Sequence, residues 1–172
     1  LFLPFSFLSF YFPEHIKNTI FYVPQVNLST HVFIFIKSVI VLTSWLFAYF
    51  AMKHLPITIA SPIKATQPVW IVIGALLFFG ESLSALQIIG VTVTLISFFL
   101  FSVVGSLEGF SIKNNKWIWY IILATLTGAI SGLYDKYLMK EFDRFAVQVY
   151  YTYYQAIIMA IISLFLWYPN RK

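Results

Sequence analysis

Five long apolar runs, separated by short polar stretches, organise this chain: Val32–Ala51, Ile57–Phe79, Ala85–Val104, Trp117–Leu138 and Phe145–Trp167. Each approaches the roughly 20 residues that a helix needs to cross the hydrocarbon core of a bilayer. A shorter apolar run, 1–12, cannot span; it reads as the end of a further helix, and the sequence as a fragment of a longer chain. The joint Gly80-Glu81-Ser82-Leu83-Ser84 is so short that the runs on either side of it must pack as an antiparallel hairpin. Residues 13–30 and 106–116 read as polar connectors, the second leading into Trp117 and Trp119 as interfacial aromatic anchors. The pattern predicts an all-α integral membrane protein: a polytopic helix bundle with five full transmembrane helices and a partial N-terminal one.

Composition agrees. The chain is 60% hydrophobic and 10% charged, whereas soluble domains are about half apolar and about a quarter charged. The net charge of +5 is spread along the flanks of the apolar runs, which marks membrane flanks and says nothing about nucleic acid. Lys and Arg fall nearly evenly on the two sides, so charge alone does not orient the chain. The absence of cysteine removes disulfides, thiolate metal sites and cysteine nucleophiles. His15, His31 and His54 lack metal-binding spacing, and neither a nucleophile elbow nor a phosphate-binding glycine loop is present. No enzyme activity, cofactor or metal is expected.

The second run carries the residues an idle anchor would not need. At about 100° per residue, Ala60, Lys64, Gln67, Ile71 and Gly74 share one helix face. A lysine near the centre of a span costs about 2.5–3.5 kcal/mol on insertion scales and usually faces a cavity or partner. Pro62 and Pro68 remove backbone donors and leave carbonyls free. Lys64 therefore reads either as a contact for a substrate's anionic group or as a lysine snorkelling to the interface. Gly80 can end its helix in the left-handed conformation, with Glu81 capping the next helix; a proton-coupling role for Glu81 is the alternative.

The remaining candidates are subtler. Gly128 and Gly132 form a Gly-x-x-x-Gly spacing that lets helices approach closely. Asp135 and Lys136 lie near the membrane boundary, where they can pair with each other or with the loop. Tyr151, Tyr154 and Gln155 belong to a polar aromatic stripe on the fifth run that reads as an aromatic substrate pocket or an interfacial belt. Gly90, Thr94 and Ser97 form a small-residue stripe suited to helix contact or cavity lining. Lys37 lies about one turn inside its run, in reach of the interface by snorkelling.

A weak internal echo links LSFYFPEHIK (Leu8–Lys17) with LFLWYPNRK (Leu164–Lys172). If each marks the second helix of a repeat, an odd number of spans per copy forces an inverted repeat. The central stretch carries Leu55-Pro56, Ala60-Ser61-Pro62, Ala65, Pro68, Gly80-Glu81-Ser82-Leu83-Ser84, then Gln87 and Gly90. In this order it resembles the EamA-like branch of the drug/metabolite transporter superfamily, and GAISGLYDKYLMK is similar to the opening helix of that family's second repeat.

The resemblance implies part of a ten-helix inverted-repeat transporter. Residues 1–112 would be the end of the first repeat, with helices 32–51, 57–79 and 85–104, and 113–172 the start of the second, with helices 117–138 and 145–167. It places the Gly80–Ser84 joint and the 136–144 loop in the cytoplasm, in a bacterial plasma (inner) membrane. The expected function is a secondary transporter, a permease or exporter, moving a small organic metabolite such as an amino acid or related compound by alternating access. Lys64, Gln67 and Trp70 would contact substrate from one repeat, and Tyr151, Tyr154 and Gln155 from the other. An organic-phosphate or nucleotide-sugar exchanger, and a non-transporting lipid-handling subunit, are the alternatives. The expected partners are a small-molecule substrate and the lipid bilayer, with a homodimer as an option and no nucleic acid.

Overall fold

The computed structural model describes residues 9–12, 14, 17, 22–107 and 115–167, with the side chains of 101–107 and 166–167 outside that description. Most of the run 1–12, the centre of the connector at 108–114, the repeat boundary at 112/113 and the closing residues 168–172 lie outside the described residues. Within them the chain is helical, with no strand. Six helices follow in order: α1 (Leu28–His54), α2 (Ile57–Ala65), α3 (Gln67–Phe79), α4 (Ala85–Leu107), α5 (Lys116–Glu141) and α6 (Arg144–Trp167). Among the described residues α1, the α2–α3 pair, α5 and α6 each have the length and apolar composition to cross a membrane, and α4 adds a further apolar helix. The all-α membrane architecture is thus the one the hydrophobic pattern predicts. α1 begins at Leu28 rather than Val32, because the backbone keeps its helical bonds through Ser29, Thr30 and His31 where the hydropathy has already fallen.

The prolines explain why one predicted helix is two. The Pro68 ring has no N–H and would collide with the carbonyl four residues earlier, so an unbroken helix cannot pass it. The break falls at Thr66, whose amide bonds the Ile63 carbonyl at 3.2 Å and whose hydroxyl bonds the same oxygen at 2.7 Å. α3 then restarts with Pro68 in its first turn, where a missing donor costs nothing. Pro62 stays inside α2 and is buried.

At the other end, Gly80 stops α3 with φ 61°, a left-handed conformation that is strained for residues with a Cβ. The next helix is capped by Ser84 and Gln87. The Gln87 amide donates to Ser84 Oγ at 3.3 Å and the Ser84 amide to Gln87 Oε1 at 2.9 Å, a reciprocal capping box. Glu81, placed by the sequence pattern at this helix end, is exposed in the joint and makes neither of these two bonds. Asp143 caps α6 by accepting from the Ala146 amide at 2.8 Å.

The chain divides into two compact units, residues 40–133 and residues 1–39 with 134–172. In the first, Ala48, Ala51 and Leu55 of α1 and its exit pack with Ile59 and Ala60 of α2 and Ile118, Ile121 and Ala124 of α5. Small side chains let these helices come close, the packing expected where lipid removes the hydrophobic drive for helix association. At the edge of this unit His54 stacks flat on Trp117, ring centroids 3.6 Å apart. In the second unit Ile34, Leu138 and Val147 form the buried centre, surrounded by Tyr134, Phe142, Tyr150, Tyr151 and Tyr154.

Candidate functional site

In unit 40–133 the face carrying Lys64, Gln67, Ile71 and Gly74 lies against α5. The Lys64 ammonium donates to the Ala124 carbonyl at 2.9 Å and to Ser44 Oγ at 3.4 Å, and Ser44 Oγ itself donates to the Ala124 carbonyl at 2.7 Å. Three helices meet at that one oxygen. Lys64 is half-buried, and the groups it contacts are neutral oxygens. It does not run along the helix toward an interface; its stem crosses to a neighbour.

One turn further, Gln67 occupies the space that a side chain on Gly128 would fill. A Cβ there would stand 2.7 Å from Gln67 Oε1. Ile71 does the same at Gly132, 3.0 Å from the position of a Cβ. The pairs 64–124, 67–128 and 71–132 rise together, so α3 and this part of α5 run in the same direction. The Gly-x-x-x-Gly spacing thus receives two side chains of a parallel helix. Gly90 has no such neighbour among the described residues, and Thr94 bonds its carbonyl at 2.8 Å within α4.

Trp70 points elsewhere, into a cavity of 480 Å³ in the same unit. Its walls are Thr58, Ile59, Pro62 and Ile63 of α2, Thr66 at the break, Val69 and Trp70 of α3, Leu95 and Phe98 of α4, and Ile118, Ile122, Thr125 and Leu126 of α5. The lining is almost wholly apolar. The Thr125 hydroxyl is occupied by the Ile121 carbonyl at 2.8 Å, and Lys64 and Gln67 are not among the lining residues. Pro62 of α2 and Thr66 at the helix break both contribute to its walls.

The other unit holds Tyr151, Tyr154 and Gln155 on α6. The Tyr154 hydroxyl is 2.9 Å from His31 Nδ1, and His31 packs edge-on against Tyr150, centroids 4.7 Å apart. The Tyr151 ring lies beneath the Lys37 ammonium, 4.3 Å from centroid to nitrogen. Gln155 is buried, and its amide nitrogen sits beside the Tyr151 hydroxyl without a hydrogen bond of ordinary geometry among the described residues.

Two residues of this unit depart from the sequence reading. Lys37 does not snorkel: it is 3% exposed and forms an ion pair with Asp135. The earlier start of α1 places it deeper than the hydropathy boundary suggests. Asp135 reaches Lys37 and not Lys136, because neighbours at i and i+1 on a helix point to different faces. The pairing was missed because it joins positions 98 residues apart; its one visible signal was a charge inside each of two apolar runs.

Comparison with known proteins adds one finding. The sequence pattern of the EamA-like transporter family matches residues 1–103. Neither the curated proteins nor the solved structures include a match to the chain.

Proposed function

Because the chain belongs to the EamA-like transporter family, whose members are membrane transporters of small molecules rather than enzymes, we propose that it is a secondary transporter of a small organic metabolite, working by alternating access. The proposed substrate is an amino acid or related compound, the proposed location a bacterial plasma membrane, and the proposed architecture two inverted repeats meeting at 112/113. The observation that carries this reading is the cavity beside Trp70. Its 480 Å³ lies in the range of about 300–1,000 Å³ of small-molecule sites, which are mostly apolar with a few polar groups. Such walls suit a metabolite with an apolar or aromatic part better than a phosphorylated one, whose charges would lose their hydration there.

Lys64 and Gln67 flank this cavity along the chain and are proposed as its polar contacts, through a rotation of either side chain away from α5. Tyr151, Tyr154 and Gln155 are proposed as substrate contacts within their own unit. The test is reconstitution of the full-length protein in liposomes, with counterflow measured for a panel of neutral amino acids and related metabolites. Saturable flux that Trp70→Ala weakens supports the reading. Saturable flux indifferent to Trp70→Ala overturns the site, and no flux across the panel overturns the function.

A further inference from the structure

We infer that Lys37, Asp135 and Gln155 form a binding site for a zwitterionic group, one that carries an ammonium and an acid group within a few bonds of each other. The two charges are paired across α1 and α5, yet they are unequal in access. The Lys37 side chain is 4% exposed and that of Asp135 is 33% exposed, so the pair can be approached from the Asp135 side only. Asp135 is the sole carboxylate inside the apolar runs, and Lys37 has no other charged partner to turn to among the described residues.

A buried ion pair constrains what can enter. A ligand with one charge would take one member of the pair and leave the other without its partner, which is strongly unfavourable when the buried Lys37 is the one left and less so when it is the one-third-exposed Asp135. A zwitterion brings both signs: its acid group takes the place of Asp135 at the Lys37 ammonium, and its ammonium takes the place of Lys37 at the carboxylate. The exchange keeps the net charge of the site unchanged. Two further features fit an acid group beside Lys37. Gln155, one turn beyond Tyr151 on α6, carries a buried amide nitrogen that sits beside the Tyr151 hydroxyl but makes no hydrogen bond of ordinary geometry among the described residues. Buried donors are seldom left so unless a ligand or water meets them. The Tyr151 ring, 4.3 Å from the lysine nitrogen, also gives the ammonium a second attractive surface while it changes partners.

The same chemistry occurs in a free amino acid and in a phosphatidylethanolamine headgroup, and the test separates them. The full-length protein is purified in detergent and its thermal unfolding midpoint followed by tryptophan fluorescence. It is measured with a mixture of neutral α-amino acids, with the matching amines, with the matching carboxylic acids, and in phosphatidylethanolamine or phosphatidylglycerol nanodiscs. A midpoint raised by the amino acids, and by neither the amines nor the acids, assigns the site to a free zwitterion. A rise in phosphatidylethanolamine over phosphatidylglycerol alone assigns it to the lipid headgroup. Either rise must vanish in the double variant Lys37→Met with Asp135→Asn, which removes both charges together and leaves no orphan. Gln155→Leu should weaken the response at least several-fold in the concentration required. No rise with any zwitterion, or a rise that survives in the double variant, overturns the site. This site shares Tyr151 and Gln155 with the proposed substrate contacts, and its test reads occupancy and not flux, so the two readings fail separately.

Discussion

The ammonium of Lys64 donates a 2.9 Å hydrogen bond to the main-chain carbonyl of Ala124, a residue 60 positions away. That carbonyl also accepts from Ser44 at 2.7 Å and from the Thr127 hydroxyl at 3.3 Å. A lysine inside a span has thus found neutral acceptors on two other helices.

Lys64→Ala is expected to reduce transport by the full-length protein while leaving its amount in the membrane unchanged. Interhelical hydrogen bonds in membranes are worth about 0.6 kcal/mol on average and up to about 1.7, so folding should survive their loss. Flux and membrane abundance measured together decide it; wild-type flux in the variant sinks the assignment of Lys64 to the transport machinery.

The contact of Gln67 with Gly128 is testable as a pair. Gly128→Val puts branched bulk where Gln67 Oε1 stands 2.7 Å from the Cβ position. Overpacking of this kind costs about 1–3 kcal/mol. Adding Gln67→Ala vacates the space and should restore most of the loss in thermal stability. A double variant as unstable as the single one means that the two residues do not meet.

Breaking the pair of Lys37 and Asp135 should be worse than deleting it. Asp135→Asn alone leaves the Lys37 charge buried and is expected to cost about 3–5 kcal/mol, Lys37→Met less because the Asp135 carboxylate is one-third exposed, while the double variant comes close to wild type. Thermal unfolding of the three proteins gives the coupling directly. Additive losses indicate that the two side chains are independent.

Filling the cavity separates a working space from a packing defect. Leu126→Trp places an indole into the 480 Å³ beside Trp70. Flux should fall at least tenfold with the unfolding midpoint kept or raised, since the added ring packs against apolar walls. Unchanged flux removes this cavity from the transport path.

Much of this molecule was legible in the chain itself. Long apolar runs can be nothing but helices in a bilayer, where every backbone donor and acceptor must be met within the segment, so the helical class and the approximate position of each apolar helix follow from composition, while several ends, such as those of α1, extend beyond the apolar run. Pro68 and Gly80 act through their own backbones, and the break at Thr66 and the stop at φ 61° are therefore local consequences. The shared face of Lys64, Gln67, Ile71 and Gly74 follows from helical periodicity. What that face meets does not. Whether Lys64 reaches an interface, a cavity or the Ala124 carbonyl depends on which helix lies beside it, and periodicity is silent on neighbours. The same holds for Lys37 and Asp135: a charge in each of two apolar runs suggests that each needs a partner, but only packing decides that they are partners of one another. The walls around Trp70 likewise come from four separate helices. Local chemistry therefore determined the elements and their ends, and tertiary contact decided which polar groups are braces, which are pairs and which face open space.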